Sequence, residues 1–136
     1  MPDSTLTTEE RRHDLRWAGV PPSVNHYWGT RVIGKHVSRY ITNEGRAFKE
    51  EFMALIPLGH QLTGPLDVNI VLYFSDKRRR DVDNYMKAVL DACQPRAFKD
   101  DAQIVRLTIV KLYRRDHPGI ELHVTEMDEH TLRQLE

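Results

Sequence analysis

Residues 74–92, FSDKRRRDVDNYMKAVLDA, set four consecutive cations, Lys77, Arg78, Arg79 and Arg80, directly before two acids, Asp81 and Asp83, spaced by two. The neighbouring cations could neutralise these acids outright, yet the acids are crowded where they repel each other. The pattern suits two separate ligands, phosphates for the cations and a divalent metal for the acids. A hard cation such as Mg²⁺ takes oxygen ligands, typically one to a few carboxylates completed by water and substrate phosphate. Phosphodiester cleavage uses such an ion to activate water and to neutralise charge building on the phosphorus oxygens. Lys87 follows Asp83 by four residues and Asp91 follows Lys87 by four, so all three share one helix face. A lysine there can steady the developing charge or orient the water. A second acid pair, Asp100 and Asp101, precedes a strand beginning at Ile104.

Simpler explanations exist for each piece. Acids at a helix start stabilise it by roughly 0.3–1 kcal/mol through capping and the macrodipole. Asp83 and Lys87 also make an ordinary surface pair, DD before a strand is common turn chemistry, and KRRR suits a solvated loop. Asp81 and Asp83 share an ion only if Asp81 and Val82 are extended or capping, because two helical residues at that spacing point about 200° apart. What favours a metal-dependent phosphodiesterase is the gathering of acids, lysine and cations around one helix.

Other chemistries fit less well. Cys93 falls on an apolar stripe and reads as core rather than nucleophile. The seven histidines never fall at the short spacing of a zinc site, and no Gly-rich phosphate loop is present. A single cysteine excludes an internal disulfide and fits a reducing cytoplasm. No apolar run approaches the roughly 20 residues of a membrane helix. Net charge is zero, but residues 17–120 hold 16 Lys/Arg against 11 Asp/Glu, so the working surface can be positive.

With 136 residues the chain is expected to form one domain. Residues 1–13 read as a flexible polar leader, 14–125 as the domain and 126–136 as a solvated tail or frayed helix. LRWAGV suggests a strand, PPSVNHYW a loop, and RVIGKHVSRYI a hairpin around Gly34. Thr42 or Asn43 can cap a helix over 44–56 with Phe48, Phe52, Met53 and Ile56 on its buried face. LDVNIVLYFS alternates as a strand. Val82, Tyr85, Met86, Val89, Leu90 and Cys93 then make one stripe of an amphipathic helix. IVRLTIVKLY and IELHVTE complete a small mixed β-sheet packed with two main helices, an α+β fold.

RRRDVDNYMKAVLDA and FKDDAQIVRLTIVKL, preceded by PPSVNHYW and YITNEGRAFKEE, resemble the RusA family of Holliday-junction resolvases, from about Trp17 to Thr125. The resemblance implies a homodimeric, Mg²⁺-dependent endonuclease, with Mn²⁺ as a substitute, that nicks four-way DNA junctions in symmetric pairs. It implies that Asp81, Asp83 and Asp101 bind metal and that Lys87 assists catalysis, with Asp100, Asn84 and Gln103 as supporting positions. Lys77, Arg78, Arg79 and Arg80 would then grip backbone phosphates. Arg46, Lys49, Lys35 and Arg39 would serve the duplex arms. Tyr27 and Trp28 are candidates to stack on an unpaired base, Trp28 equally a core residue. Where relatives often place glycine after the helix, this chain has CQPRAF.

Overall fold

The alternating run LDVNIVLYF becomes an inner strand of a four-stranded sheet. In the computed structural model, which describes residues 11–136, the elements run β1 (Arg12–Ala18), α1 (Val24–Tyr27), β2 (Trp28–Ile33), β3 (His36–Ile41), α2 (Asn43–Ala54), β4 (Leu66–Phe74), α3 (Asp83–Cys93), β5 (Ile104–Tyr113), β6 (Gly119–Glu126) and α4 (Glu129–Leu135). The sheet order is β1-β6-β4-β5, and β2 and β3 form a separate two-stranded sheet. Residues 1–10, most of the expected leader, lie outside the described residues. Arg12 and His13 fall within the expected leader but pair with Thr125 and Val124 as part of β1. At the other end Glu126 still belongs to β6, Met127 is buried, and Asp128 caps α4.

β6 runs antiparallel to both β1 and β4, whereas β4 and β5 are parallel. Parallel neighbours need a crossover, usually a helix, and α3 supplies it. The register pairs Leu66 with Ile104 and Phe74 with Tyr113. The chain therefore leaves the sheet at one end of β4 and returns to β5 at the other. The mixed sheet with helices is the expected α+β fold.

Alternate residues of β4 (Leu66, Val68, Ile70 and Leu72) and of β6 (Ile120, Leu122 and Val124) form the core with Phe48, Phe52 and Ile56. The expected stripe on α3 is present: Val89 and Cys93 are buried, while Tyr85 and Met86 pack partly against the core. Burial pushes the Cys93 thiol up to about 12, consistent with a core residue. Thr42 caps α2, its hydroxyl accepting from Gly45 N–H at 2.9 Å.

His13 is buried and its Nε2 lies 2.6 Å from the His60 carbonyl. Burial lowers its pKa from 6.5, outweighing the carbonyl and Asp14, which raise it. The folded state therefore favours the neutral ring. Its contribution is complete above pH 6.5 and is lost as pH falls below that value through the lowered one. Asp14, Asp76 and Asp128 are all held below 3.8, so their contributions are lost only in stronger acid. Denaturation midpoints measured from pH 8 to about pH 5 should fall for the wild type. His13→Gln should flatten that slope; an unchanged slope would remove His13 as its source.

Candidate active site

The apolar stripe of α3 turns inward, which leaves Asp83 and Lys87 on the exposed side and Asp91 half-buried. Lys87 and Asp91 line a cavity of about 330 Å³ with Trp28, Arg39 and Asp101. Four distant sequence blocks therefore meet there. Asp101 reaches it from the far end of the crossover: it opens a short 3₁₀ turn, Asp101–Gln103, just before β5.

That turn is fixed by its neighbours. Asp100 caps it, accepting from Ala102 N–H at 2.9 Å, and forms a capping box with Gln103. The Gln103 amide oxygen accepts from Lys99 and Asp100 N–H, while its nitrogen donates to the carbonyls of Leu62 and Gly64. Both residues thus position the acid between them. The DDAQ spacing is itself a capping-box signal that the sequence carries. The CQPRAF departure does not free this loop, because Ala97 and Phe98 are buried and Leu62 N–H bonds to the Ala97 carbonyl at 2.8 Å.

Val82 is the N-cap of α3, so Asp81 precedes the helix and Asp83 opens it. The Val82 backbone (φ −60°, ψ −32°) leads directly into the first turn of α3. From Asp83 to Asp91 the helix advances about 12 Å. Asp101 lines the same cavity as Lys87 and Asp91. Among the described residues, no three of His, Cys, Asp and Glu stand close enough together to hold a metal.

The chemistry of the donor set nevertheless suits a hard divalent cation. Asp81, Asp83 and Asp101 are exposed, and among the described residues their carboxylates make no hydrogen bond or ion pair; Lys87 is likewise unpaired there. The adjacent cations do not neutralise them. Arg80 pairs with Asp76 at 2.8 Å, lies over the Phe74 ring at 4.2 Å and is mostly buried, so it shapes the loop rather than reaching outward. Its carbonyl accepts from Lys111 at 2.7 Å, a basic residue of β5 absent from the expected set. Lys77 lies over the Tyr113 ring, while Arg78 and Arg79 keep exposed, unpaired guanidinium groups. Lys77, Arg78, Arg79 and Lys111 share a cavity of about 240 Å³. Asn84, at the start of α3, is exposed and makes no side-chain hydrogen bond.

Two residues expected to contact DNA make contacts within the protein. Tyr27 is fully buried and cannot stack on a base; its hydroxyl donates to Asp91. Burial, then the Asp91 carboxylate, push this phenol well above its usual range, so it stays a donor. Lys49, expected on a duplex arm, instead points its ammonium to Asp91 at 3.5 Å. Trp28 is partly buried, with Arg39 over its ring at 4.0 Å and Tyr27 edge-on at 4.3 Å. The Tyr27–Asp91–Lys49 knot ties α1, α2 and α3 behind the cavity. It requires Gly45, where a Cβ would lie 2.3 Å from the Tyr27 carbonyl oxygen. The exposed cations Lys35 and Arg39 lie on the β2–β3 hairpin, and Arg46 on α2 shares a groove with Arg31 and Tyr40.

The family model described as Endodeoxyribonuclease RusA matches residues 18–125. The crossover junction endodeoxyribonuclease RusA of Escherichia coli (strain K12) is 36% identical over 111 residues, covering 79% of this chain and 89% of that protein. The corresponding protein of Enterobacteria phage 82 is 35% identical over the same shares, as is that of Shigella sonnei (strain Ss046).

Tyr27→Phe removes one hydrogen bond to a carboxylate and should cost about 1.5–3 kcal/mol of unfolding free energy. Gly45→Ala should destabilise as well, because the added methyl meets backbone. Urea unfolding tests both; wild-type stability in Tyr27→Phe would show that the knot carries no energy.

Proposed function

The chain belongs to the RusA endodeoxyribonuclease family, and from that premise we propose that it is a metal-dependent endodeoxyribonuclease that resolves four-way (Holliday) DNA junctions by paired symmetric nicks. The observation that carries this reading is the set of unpaired groups, three carboxylates and one lysine, left exposed around α3 beside a cationic loop. Mg²⁺ is the proposed cofactor, with Mn²⁺ able to substitute. Asp81 and Asp83 would hold it from the start of α3 and Asp101 from the loop before β5. When bound, such an ion supplies an activated water and neutralises charge on the phosphate.

The chain's own groups divide the remaining work. Lys87 carries a positive charge where it can steady the phosphate oxygens during displacement. Arg78 and Arg79, with Lys77, hold flanking backbone phosphates, which gives affinity and salt dependence but no sequence preference. Arg80 and Lys111 keep that loop in shape. Asp91, fixed by Tyr27 and Lys49, sets the back wall of the cavity. A two-fold homodimer suits paired nicks, because symmetry presents two equal sites to strands of equal polarity. Among the described residues β5 is an edge strand, and that edge, with Val105, Val110 and Leu112 exposed, is the surface proposed for it. The cytoplasm, where its DNA substrate lies, is the proposed location.

One alternative has an observation in its favour. Among the described residues no three acids stand close enough together to hold a metal, which would suit a module that binds branched DNA without cutting it. Incubation of a four-way junction with Mg²⁺ separates the two: nicks that EDTA abolishes support the nuclease, and none across a range of divalent ions supports binding alone. Asp81→Asn should abolish cleavage while junction binding persists or tightens; cleavage at the wild-type rate would exclude Asp81 from the mechanism. Lys87→Met should lower the cleavage rate about 10²–10³-fold. Arg79→Ala should weaken binding to all DNA forms alike and reduce the log–log salt slope by about one.

A further inference from the structure

The β2–β3 hairpin stands outside the main sheet and ends in an apolar tip. Val32 and Val37 are each 68% exposed and Ile33 is 65% exposed. Among the described residues nothing lies within 4 Å of a Cβ built on Gly34 at the turn. The segment 28–41 contains Arg31, Lys35 and Arg39 but no acid. An exposed apolar tip in a purely cationic segment fits an occupant that is anionic outside and apolar on its faces.

Register shows which way this tip faces. Trp28 pairs with Ile41, Thr30 with Arg39 and Val32 with Val37, so these three pairs share one face of the hairpin. At its root that face packs Trp28 and Ile41 against the core. Trp28 and Arg39 also line the cavity holding Lys87 and Asp101. Four residues outward, about 13 Å at strand rise, the same face presents Val32 and Val37. On the opposite face Arg31 lies over Tyr40 and joins Arg46 in a second basic groove. Cations therefore border the apolar pair on both faces of the hairpin.

We propose that Val32 and Val37 form an apolar wedge that seats against base pairs exposed at the branch point of a DNA junction, with Arg31, Lys35 and Arg39 on the bordering phosphates. This inference rests on the junction-nuclease reading and adds how branched DNA is told from linear duplex. A continuous duplex buries its base faces by stacking, whereas a branch point interrupts the stack. Apolar side chains used as wedges against unstacked steps are a known economy of DNA-bending proteins. The charge term acts on any DNA, so selectivity falls to the apolar pair.

The test uses the full chain in EDTA, so that binding is read without cleavage, on a junction carrying 2-aminopurine beside the branch point. Wild-type protein should raise the fluorescence of that base. The double substitution Val32→Thr with Val37→Thr keeps shape and strand preference but adds hydroxyls. It should bind the junction about tenfold more weakly, leave linear-duplex affinity within about twofold, and lose the fluorescence rise. Val32→Ala with Val37→Ala is the second variant and should behave alike, with unchanged circular dichroism for both. Unchanged junction affinity and fluorescence in both variants would overturn the wedge. So would a fall in molar mass by light scattering, which would make the tip a contact between copies of the chain. Failure of the wild type to bind the junction at all would sink the nuclease reading itself, before any variant is made.

Discussion

Parallel pairing of β4 with β5 is the constraint on which the site depends. It obliges the chain to leave one end of the sheet, cross its face and return at the other end, and α3 is the segment that crosses. Because the apolar stripe of α3 must face the sheet, its charged positions are forced outward. The same crossover sends the cationic loop and Asp81 to one end of α3 and Asp101 to the other. Lys87 and Asp91 lie between them.

The fold then prevents the obvious neutralisation. Arg80 is drawn inward onto Phe74 and Asp76, and Lys111 holds its carbonyl. Arg78 and Arg79 point outward, and the acids remain unpaired. Behind the cavity the opposite holds: Asp91 Oδ2 accepts from the Tyr27 hydroxyl and pairs with Lys49. One carboxylate is spent on rigidity while three stay available. An available charge beside a rigid wall is what a site for an anionic substrate and a cation needs.

Much of this was legible in the sequence. Strict alternation gave β4 and β6, and the spacing from Val82 to Cys93 gave α3, because burial on one face leaves a period that few other demands imitate. Thr42 and Gly34 marked a cap and a turn for local backbone reasons. What escaped depends on tertiary neighbours. Nothing in NHYW indicates that Tyr27 faces inward to Asp91, or that Lys49 follows it. Gly45 signalled a close approach only once Tyr27 was seen across from it. The N-cap position of Val82 turned on a single residue at a helix boundary, where sequence patterns are least exact. The edge position of β5 was likewise hidden, since alternation does not say which strand lacks a neighbour.

The proposed function requires that acids arriving from the two ends of α3 act on one cation. Mn²⁺ titration of the DNA-free protein by calorimetry tests it directly, using Asp81→Asn, Asp101→Asn and the double substitution. Joint ligation predicts that each single change weakens Mn²⁺ binding and that the two effects are strongly non-additive. Full wild-type affinity in Asp101→Asn, with loss confined to Asp81→Asn, would contradict it.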